Sequence, residues 1–296
     1  MNGMPNDEVI YRPVREEELP ATVELFLTTV ADLYERMNTA APLPPRGYVE
    51  LNYEHIRRTG IFQVAEVDGR LAAICHAVVR DRLWFLSGFW TLPGWQGRKI
   101  GRPLLERVID EGARLGATTF FTWSSTDLQA MATYMKTGML PGYQTLTFAG
   151  APRELAGERA GYETGPLDRG AALAIDERIR ETRRETDHEF WQSVLKAEAR
   201  QVVRAGSVVG YYYANNGTVG PAAWLDAEDA DAVLESAARA ASAQAEAVRL
   251  MIPGPNHAAI KFALRSGLKL SAYAHLLTTA PFGQMDKYLA SGPSLF

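Results

Sequence analysis

A glycine-rich, cationic stretch at residues 92–108, LPGWQGRKIGRPLLERV, holds the residue types that most readily bind an anion. It separates a strand-like apolar run from a helical pattern of apolar residues. Unpaired N–H groups at a helix start, and the positive end of the helix dipole, attract anions and suit a pyrophosphate. Two glycines permit a close backbone approach and three cations add charge, namely Gly97, Arg98, Lys99, Gly101 and Arg102. The stretch therefore predicts either a phosphate-binding loop or a strand-to-helix turn whose cations face water.

The spacing within this loop differs from two other phosphate-binding patterns. It is not GxxxxGK[ST], and it is not GxGxxG followed by an acidic residue at the expected distance. Pro103 fits the first helical turn, where its missing N–H is not needed. The loop alone leaves both interpretations open.

The composition of the chain is that of a soluble globular protein. Its 296 residues exceed one ordinary domain, so we expect two. The sequence has neither an apolar tract that could span a bilayer nor a signal-peptide pattern, and we expect a cytoplasmic protein that does not bind membranes. A formal net charge of -4 argues against general nucleic-acid binding, which requires many cations.

The use of cysteine and histidine argues against disulfide and metal chemistry. The single cysteine, Cys75, excludes an internal disulfide framework and is expected to be a buried structural thiol. The five histidines are scattered without the spacing of metal ligands. We therefore expect no metal site.

The two halves of the chain show the same order of predicted elements. In the first half, periodicity predicts a strand at 10–14, helices at 20–38 and 48–58, a hairpin turning at Asp68–Gly69, a strand before the loop, a helix after it, a strand at 118–123, a helix from Thr126 or Asp127 to Gly138, and a strand at TLTF. In the second half, it predicts helices at 169–184 and 186–196, a hairpin turning at Ala205–Gly206, a strand at GTVGPAAWL, a helix at 228–242, a strand at VRLMIP and a helix at 256–266. The repetition predicts a duplicated α/β (α+β) unit, each copy having a mixed, mostly antiparallel sheet flanked by helices. We place the domains at 1–150 and 165–296, joined by a linker at 151–164.

Two motifs of the first half resemble those of the GNAT superfamily of N-acetyltransferases. The loop resembles the acetyl-CoA loop of that family, Q/R-x-x-G-x-G/A, with Gln96 and Gly101 at the outer positions and Lys99 where the middle glycine is usual. Downstream, DLQAMATYMKTGM matches the register of N-x-x-A-x-x-x-Y-x-x-x-G-[FL], with Asp127 at the asparagine position and Tyr134 at the tyrosine position. The element order over about residues 8–148 agrees as well.

The resemblance implies an acetyl-CoA-dependent N-acetyltransferase with a small-molecule amine as acceptor, acting as a monomer or homodimer. It implies that Tyr134 is the general acid, because a phenol near pKa 10 stays protonated at neutral pH and can donate to the departing thiolate. It also implies contacts with acetyl-CoA from the end of the preceding strand, from the loop and from the downstream motif. These residues are Trp90, Thr91, Leu92, Gln96, Gly97, Arg98, Lys99, Ile100, Gly101, Arg102 and Asp127.

Several roles stay open within this resemblance. Asp127 either contacts the cosubstrate or caps its helix, and the cap is favoured. No carboxylate stands on the strand before the loop after Asp81, so deprotonation of the amine falls to water, to a carboxylate elsewhere such as Glu66, or to no protein base. Gly88 is compatible with a bulge in that strand or with packing against a large neighbour.

Lys99 has two expected outcomes. With helical φ/ψ, its amide can face the pyrophosphate, and Lys99→Gly would weaken or spare binding of CoA. With positive φ, lysine costs about 1 kcal/mol or more relative to glycine, and Lys99→Gly is expected to tighten binding.

The second half resembles a degenerate copy of the same domain. NHAAIKFALRSGL keeps Asn256 and Gly267 in register but has Ala263 at the tyrosine position. The counterpart of the loop, VGPAAWLDAED, lacks the glycine motif and is acidic, so it would repel a pyrophosphate. The alternative to an enzyme is a non-catalytic acyl-CoA-binding or scaffold protein, which Lys99, Asp127 and this second half favour.

Overall fold

A computed structural model describes residues 8–153, 155 and 157–296. Contacts between residues divide the chain into two compact units, Met1–Phe120 and Phe121–Phe296. The fold is a mixed α/β fold with mostly antiparallel strands, as predicted. The division between the units differs from the predicted boundaries at 150 and 165, which remain a prediction from the duplicated sequence order. None of the described helices is long and apolar enough to cross a membrane.

The first unit is an antiparallel meander with helices on both faces. Its elements are β1 (Val9–Pro13), α1 (Leu19–Arg36), α2 (Arg46–Thr59), β2 (Ile61–Val67), β3 (Arg70–Arg80), β4 (Leu83–Thr91) and α3 (Gly101–Arg114). Strands β1 to β4 pair in chain order. Successive residues of β2 face opposite sides: Phe62 makes an edge-to-face contact with Tyr53 of α2, and Gln63 donates a hydrogen bond to Glu111 of α3.

The β2–β3 hairpin forms where the sequence predicts it. Asp68 and Gly69 both have positive φ, 49° and 73°, as a two-residue turn between twisted strands requires. The same turn chemistry recurs at Ala205 and Gly206, with φ of 50° and 78°. Both hairpin predictions are confirmed.

The second unit contains the remaining elements around one sheet. These are β5 (Thr119–Ser124), which begins at the end of the first unit, α4 (Leu128–Met135), β6 (Leu140–Gly150), β7 (Tyr162–Pro166), α5 (Arg169–Arg180), α6 (Glu185–Glu189), β8 (Glu198–Arg204), β9 (Ser207–Asn215), β10 (Thr218–Trp224), α7 (Ala230–Ser242), β11 (Val248–Pro253), α8 (His257–Arg265), β12 (Lys269–Thr278) and β13 (Tyr288–Leu289). The strand order is β5-β12-β6-β11-β10-β9-β8-β7, with β13 beside β10. The β10–β11 pair is parallel, so the sheet is mixed, as expected.

The last strand of each half is exchanged with that of the other half. A simple duplication would pair β6 with β5 and β12 with β11. Instead β12 pairs with β5 and β6, and β6 pairs with β11. This exchange places residues 121–150 in the same contact unit as the second half. Periodicity reports which face of a strand is buried but not its partner, so the sequence did not predict it.

Strand β7 lies partly in the predicted linker and was not predicted. Among the described strands it pairs with β8 alone, from Tyr162 opposite Arg204 to Pro166 opposite Arg200. A five-residue edge strand containing Gly165 and ending in proline carries almost no alternation of apolar residues. It supplies the opening strand of the second half, which the duplication implied.

Candidate functional site

The glycine-rich loop is held at the end of β4 by its own polar groups. A short 3-10 turn, Pro93–Trp95, follows the strand, and α3 begins at Gly101. The Gln96 side chain donates a hydrogen bond of 3.0 Å to the Thr91 carbonyl, so the glutamine ties the loop back to the strand. The Leu92 amide donates to the Ala72 carbonyl at 3.0 Å. The Leu92 amide is therefore already paired within the chain, and the contact of Leu92 with acetyl-CoA stays a prediction.

Two residues of the loop adopt the left-handed conformation. Gly97 has φ of 75° and Lys99 has φ of 64°. Between Lys99 and the helix, Ile100 is buried, and its carbonyl accepts a hydrogen bond of 3.1 Å from the Tyr11 hydroxyl. Lys99 therefore has the positive φ of the second alternative stated for it, and not helical φ/ψ.

The loop and the start of α3 present open amide groups. Among the described residues, the N–H groups of Gly97, Lys99 and Ile100 donate to no acceptor. No side chain caps α3, and its first turn contains no acidic residue. Successive N–H groups in such a turn form a concave anion-binding surface. The backbone is therefore arranged as a phosphate-binding loop needs it.

The charge around these amides is positive. No acidic residue stands between Leu92 and Leu105 in the sequence. The Arg98 guanidinium lies 4.7 Å from the centre of the Trp95 ring, and Arg102 pairs with Glu106 one turn into the helix at 2.7 Å. Lys99 is exposed and carries its charge at the loop itself.

Gly101 is required for packing rather than for an unusual φ. A Cβ atom at this position would lie 2.8 Å from Cζ of Phe89 and 3.4 Å from Oγ1 of Thr91. Because Gly101 has no Cβ atom, the start of α3 can lie directly against β4. Gly94, in the same loop, has open space around its Cβ position.

Strand β4 contains a bulge beside Gly88. The β3–β4 register shifts between His76 and Ala77, which leaves Ser87 as the extra residue of β4. A Cβ at Gly88 would collide with the His76 imidazole and lie 3.1 Å from Nε1 of Trp90. Both expectations for Gly88 therefore hold: it adjoins a bulge and packs against a large neighbour.

His76 belongs to a buried aromatic cluster that sequence reasoning missed. Its ring centre lies 4.7 Å from those of both Tyr53 and Phe62. Both imidazole nitrogens, the Tyr53 hydroxyl and the Ser87 hydroxyl are buried and have no hydrogen-bond partner in the described part of the chain. Burial lowers the pKa of His76 to about 3, so the ring is neutral at physiological pH. The only sequence signal is a histidine within an apolar strand.

We expect His76 to make the protein acid-sensitive. Its pKa is about 3 when folded and near 6.5 when unfolded, so the unfolded chain binds more protons between these values. The free energy of unfolding should therefore fall by about 1.4 kcal/mol per pH unit on acidification below pH 6.5. Denaturant titrations at pH 7 and pH 5 measure this loss. His76→Leu should reduce this loss in the free energy of unfolding, whereas His257→Gln, at an exposed histidine, should leave the loss unchanged. Equal losses in His76→Leu and the parent would contradict the assignment.

The two downstream site residues, Asp127 and Tyr134, lie in the second unit. Asp127 is the N-cap of α4, and its carboxylate accepts hydrogen bonds from the amides of Gln129 at 2.9 Å and Ala130 at 3.3 Å. The favoured capping role is therefore present. Tyr134 is in the last turn of α4, and 7% of it is exposed.

Glu66, the carboxylate named as a possible base, is already paired with a cation. The Glu66 carboxylate accepts hydrogen bonds from Arg12, which also pairs with Glu18. The Glu66 carboxylate is therefore engaged in an ion pair with Arg12. Cys75 is buried, as predicted, and burial raises the pKa of its thiol well above its usual value. The described residues contain no cluster of three or more His, Cys, Asp or Glu that could hold a metal.

The counterpart of the loop in the second half is acidic, and its carboxylates pair with an arginine of the same chain. Three carboxylates between β10 and α7 pair with Arg204 of β8: Asp229 at 3.2 Å, Asp226 at 3.9 Å, and Glu228. The Tyr162 hydroxyl donates to Asp229 at 3.1 Å. These carboxylates place negative charge at the start of α7, where the helix dipole would otherwise favour an anion. This arrangement agrees with a second half that does not bind a pyrophosphate.

Comparison with known proteins connects this geometry to a family. Residues 27–139 match the model of the acetyltransferase (GNAT) family. This segment contains the loop, the β4 bulge and the helix with Tyr134. No curated protein matches the chain in sequence.

Solved structures share the fold over nearly the whole chain. A putative acetyltransferase from Pyrococcus horikoshii is 15% identical, with a TM-score of 0.79 over 100% of this chain and 98% of that one. A GCN5-related N-acetyltransferase from Sphaerobacter thermophilus is 15% identical, with a TM-score of 0.67 over 94% and 98%. A tandem GNAT protein from the clavulanic acid biosynthesis pathway is 14% identical, with a TM-score of 0.61 over 93% and 99%. At these identities the likeness concerns the fold.

Proposed function

We propose that the chain, whose residues 27–139 belong to the acetyltransferase (GNAT) family, transfers an acetyl group from acetyl-CoA to the amine of a small-molecule acceptor. The observation that carries the proposal is the loop before α3. Open amides at Gly97, Lys99 and Ile100, three cations and an uncapped helix start suit the pyrophosphate of CoA. No carboxylate of the loop competes for those amides.

The chemistry is a direct attack of the amine on the thioester carbonyl. The new C–N bond forms as the C–S bond breaks, the thiolate takes the Tyr134 hydroxyl proton, and water takes the proton of the amine. The phenol makes the thiolate a better leaving group by giving it a proton, and such general acids typically contribute about 10²- to 10⁴-fold. The end of β4, at Trp90 and Thr91, would direct backbone groups toward the acetyl carbonyl. Because the Leu92 amide is bonded to Ala72, it takes no part.

The acceptor must arrive as a neutral amine. Glu66 is held by Arg12, and His76, with a pKa of about 3, cannot take a proton from an ammonium group at neutral pH. The described part of β4 offers no carboxylate. Transfer by this route depends on the fraction of acceptor that is deprotonated in water, so amines of low pKa are favoured substrates.

A non-catalytic acyl-CoA-binding protein is the second candidate. Asp127 favours it, because its carboxylate caps α4 where the family's asparagine contacts the cosubstrate. The two candidates differ in turnover and not in binding.

Two measurements test the proposal. Calorimetry should show binding of acetyl-CoA to the full chain, and a panel of small amines should show acetyl-CoA-dependent release of free thiol. Binding without release from any amine would support the non-catalytic candidate. Absence of binding would overturn both.

Lys99 allows a test of what the left-handed residue does. Because its φ is positive before any ligand binds, the strain is relieved by glycine in the free protein as well. Lys99→Gly should therefore stabilise the fold without tightening the binding of CoA, contrary to the expectation from the sequence. Its free energy of unfolding should exceed that of Lys99→Ala by about 1 kcal/mol, since alanine keeps the strain.

The matched pair also isolates the charge of Lys99. Both variants lose the ammonium group, so both should bind acetyl-CoA equally and a few-fold more weakly than the parent, with the difference shrinking at high salt. Tighter binding by Lys99→Gly than by the parent would show instead that the loop changes conformation when it binds.

A further inference from the structure

Strands β10 and β11 of the second unit pair over a short stretch and then separate. Thr218 lies opposite Arg249, and Val219 lies opposite Leu250. The register of β10 against β9 then shifts between Val219 and Ala222, and beyond this irregularity β10 pairs with β13. Because β9 occupies one edge of β10 throughout, β13 must use the edge that faces β11. A gap between two neighbouring strands of the sheet therefore opens after Val219.

Residues 288–290 fill this gap with an extended stretch of the chain. Leu289 lies opposite Ala222 of β10 in an antiparallel pair. On the other side, the Ala290 amide donates a hydrogen bond of 3.0 Å to the Met251 carbonyl of β11. All three residues of the stretch are buried. The backbone of residues 288–290 therefore connects the two strands where they no longer pair with each other.

Two side chains from other elements hold this stretch through Tyr288. The Asn256 side-chain amide donates a hydrogen bond of 2.9 Å to the Tyr288 carbonyl, while its oxygen caps α8 by accepting from the Ala259 amide at 3.0 Å. Arg184 donates to the Tyr288 hydroxyl at 3.0 Å and forms a buried ion pair with Asp176 at 2.8 Å. The stretch is thus fixed by its main chain and by a side chain at the same residue.

The filled part of β10 corresponds to the end of β4 in the first half. The Leu225 amide donates to a carbonyl of β9 at 2.8 Å, as the Leu92 amide donates to a carbonyl of β3 at 3.0 Å. Counting back two residues from each leucine aligns Ala223 of β10 with Trp90 of β4. Ala223 lies opposite Tyr288. Residues 288–290 therefore pair with β10 at the position where, in the first half, we propose that β4 meets the acetyl end of the cosubstrate.

We propose that residues 288–290 are an internal ligand of the second half and close the gap between β10 and β11 to the pantetheine arm of an acyl-CoA. The arm is an extended chain with amide groups, so strand edges that pair with a peptide can also pair with it. A Cβ atom at Gly220 would collide with the Ala290 carbonyl, so the glycine admits this close approach. The choice of pantetheine as the excluded ligand rests on the proposed function, whereas the filling of the gap does not.

Hydrogen exchange of the full chain, measured by mass spectrometry on peptides covering 218–224, reports on this gap separately from the first half. The probe is S-acetylpantetheine, which lacks the phosphates that the acidic loop after β10 would repel. In the parent, the probe should leave exchange at 218–224 unchanged. Leu289→Asp puts a carboxylate among buried apolar residues and should expel the stretch. Exchange at 218–224 should then become at least tenfold faster, and the probe should slow it at least threefold.

Asn256→Ser is a milder variant that decides the question if Leu289→Asp does not fold. Serine also caps a helix but lacks the amide that donates to the Tyr288 carbonyl. Exchange at 218–224 should become about threefold to tenfold faster, and the probe should reverse this increase. Pro293→Ser, at an exposed residue a few positions after the stretch, should exchange like the parent with and without the probe.

Three results would overturn the proposal. Slower exchange at 218–224 when the probe is added to the parent would show that the gap is open. Unchanged exchange in both Leu289→Asp and Asn256→Ser would show that these residues do not hold the stretch in place. Fast exchange in a folded variant that the probe does not slow would show a purely structural strand. Failure of the proposed function would appear elsewhere, as a lack of protection at 92–101 when acetyl-CoA is added.

Discussion

Replacing Tyr134 by phenylalanine is expected to lower acetyl transfer at least tenfold while acetyl-CoA binding stays within about twofold. The substitution removes one hydroxyl and keeps the ring that α4 buries. Without the phenol the thiolate leaves unprotonated or takes its proton from water, and general acids of this kind typically contribute about 10²- to 10⁴-fold. Thiol release with a saturating amine measures transfer, and calorimetry measures binding.

The control for this prediction is Tyr273→Phe, which removes a hydroxyl from an exposed tyrosine of β12. It should behave like the parent in both assays. Equal release rates in Tyr134→Phe and the parent would show that Tyr134 is not the acid. A loss of binding together with transfer would show that the hydroxyl holds the cosubstrate instead.

The backbone around Tyr134 is well suited to fix the direction of its side chain. Its carbonyl accepts hydrogen bonds from the Thr137 hydroxyl at 2.7 Å and from the Met139 amide at 3.2 Å. Gly138, with φ of 89°, ends the helix in the left-handed conformation that this closing pattern needs. Gly138, the glycine four residues after the tyrosine in the downstream motif, is therefore there to end the helix.

Features set by neighbouring residues were predictable from the sequence. The Asp68–Gly69 hairpin, the Asp127 cap and the open amides of the loop each depend on a few adjacent residues whose chemistry allows one local conformation. The fold class followed from the order of such elements. The loop could therefore be placed before its geometry was known.

Features set by distant contacts were not predictable. The exchange of β6 and β12 depends on pairing partners far apart in sequence. The collision that excludes a side chain at Gly88 comes from His76 on the neighbouring strand. A single sequence shows which residues are apolar or charged, but it does not show which of them meet.

The two halves share an irregular strand but differ in the charge of the loop that follows it. Both β4 and β10 have an irregular register beside a glycine, Gly88 in one and Gly220 in the other. The backbone irregularity is thus common to both halves. The loops that follow carry opposite charge: Arg98 and Lys99 in the first, Asp226 and Glu228 in the second. If the first loop binds a pyrophosphate as we propose, the change of charge, rather than a change of fold, separates it from the acidic loop of the second half.

Gly101→Ala is expected to weaken acetyl-CoA binding at least fivefold and to destabilise the fold by about 1–3 kcal/mol. The new methyl group would lie 2.8 Å from Cζ of Phe89, so the start of α3 must move away from β4 and take the loop amides with it. Gly94→Ala adds the same methyl group to the same loop in open space and should change neither quantity. Calorimetry and denaturant unfolding on the three proteins measure both effects.

Phe89→Leu supplies the rescue for this prediction, because leucine lacks the atom that the methyl group meets. In the double variant the binding defect of Gly101→Ala should largely disappear, so the two changes should be strongly non-additive. Additive effects would mean that glycine at this position serves the ligand directly and not the contact with β4. Recovery would show that the position of α3 against β4, set by one missing Cβ, determines how the loop holds an anion.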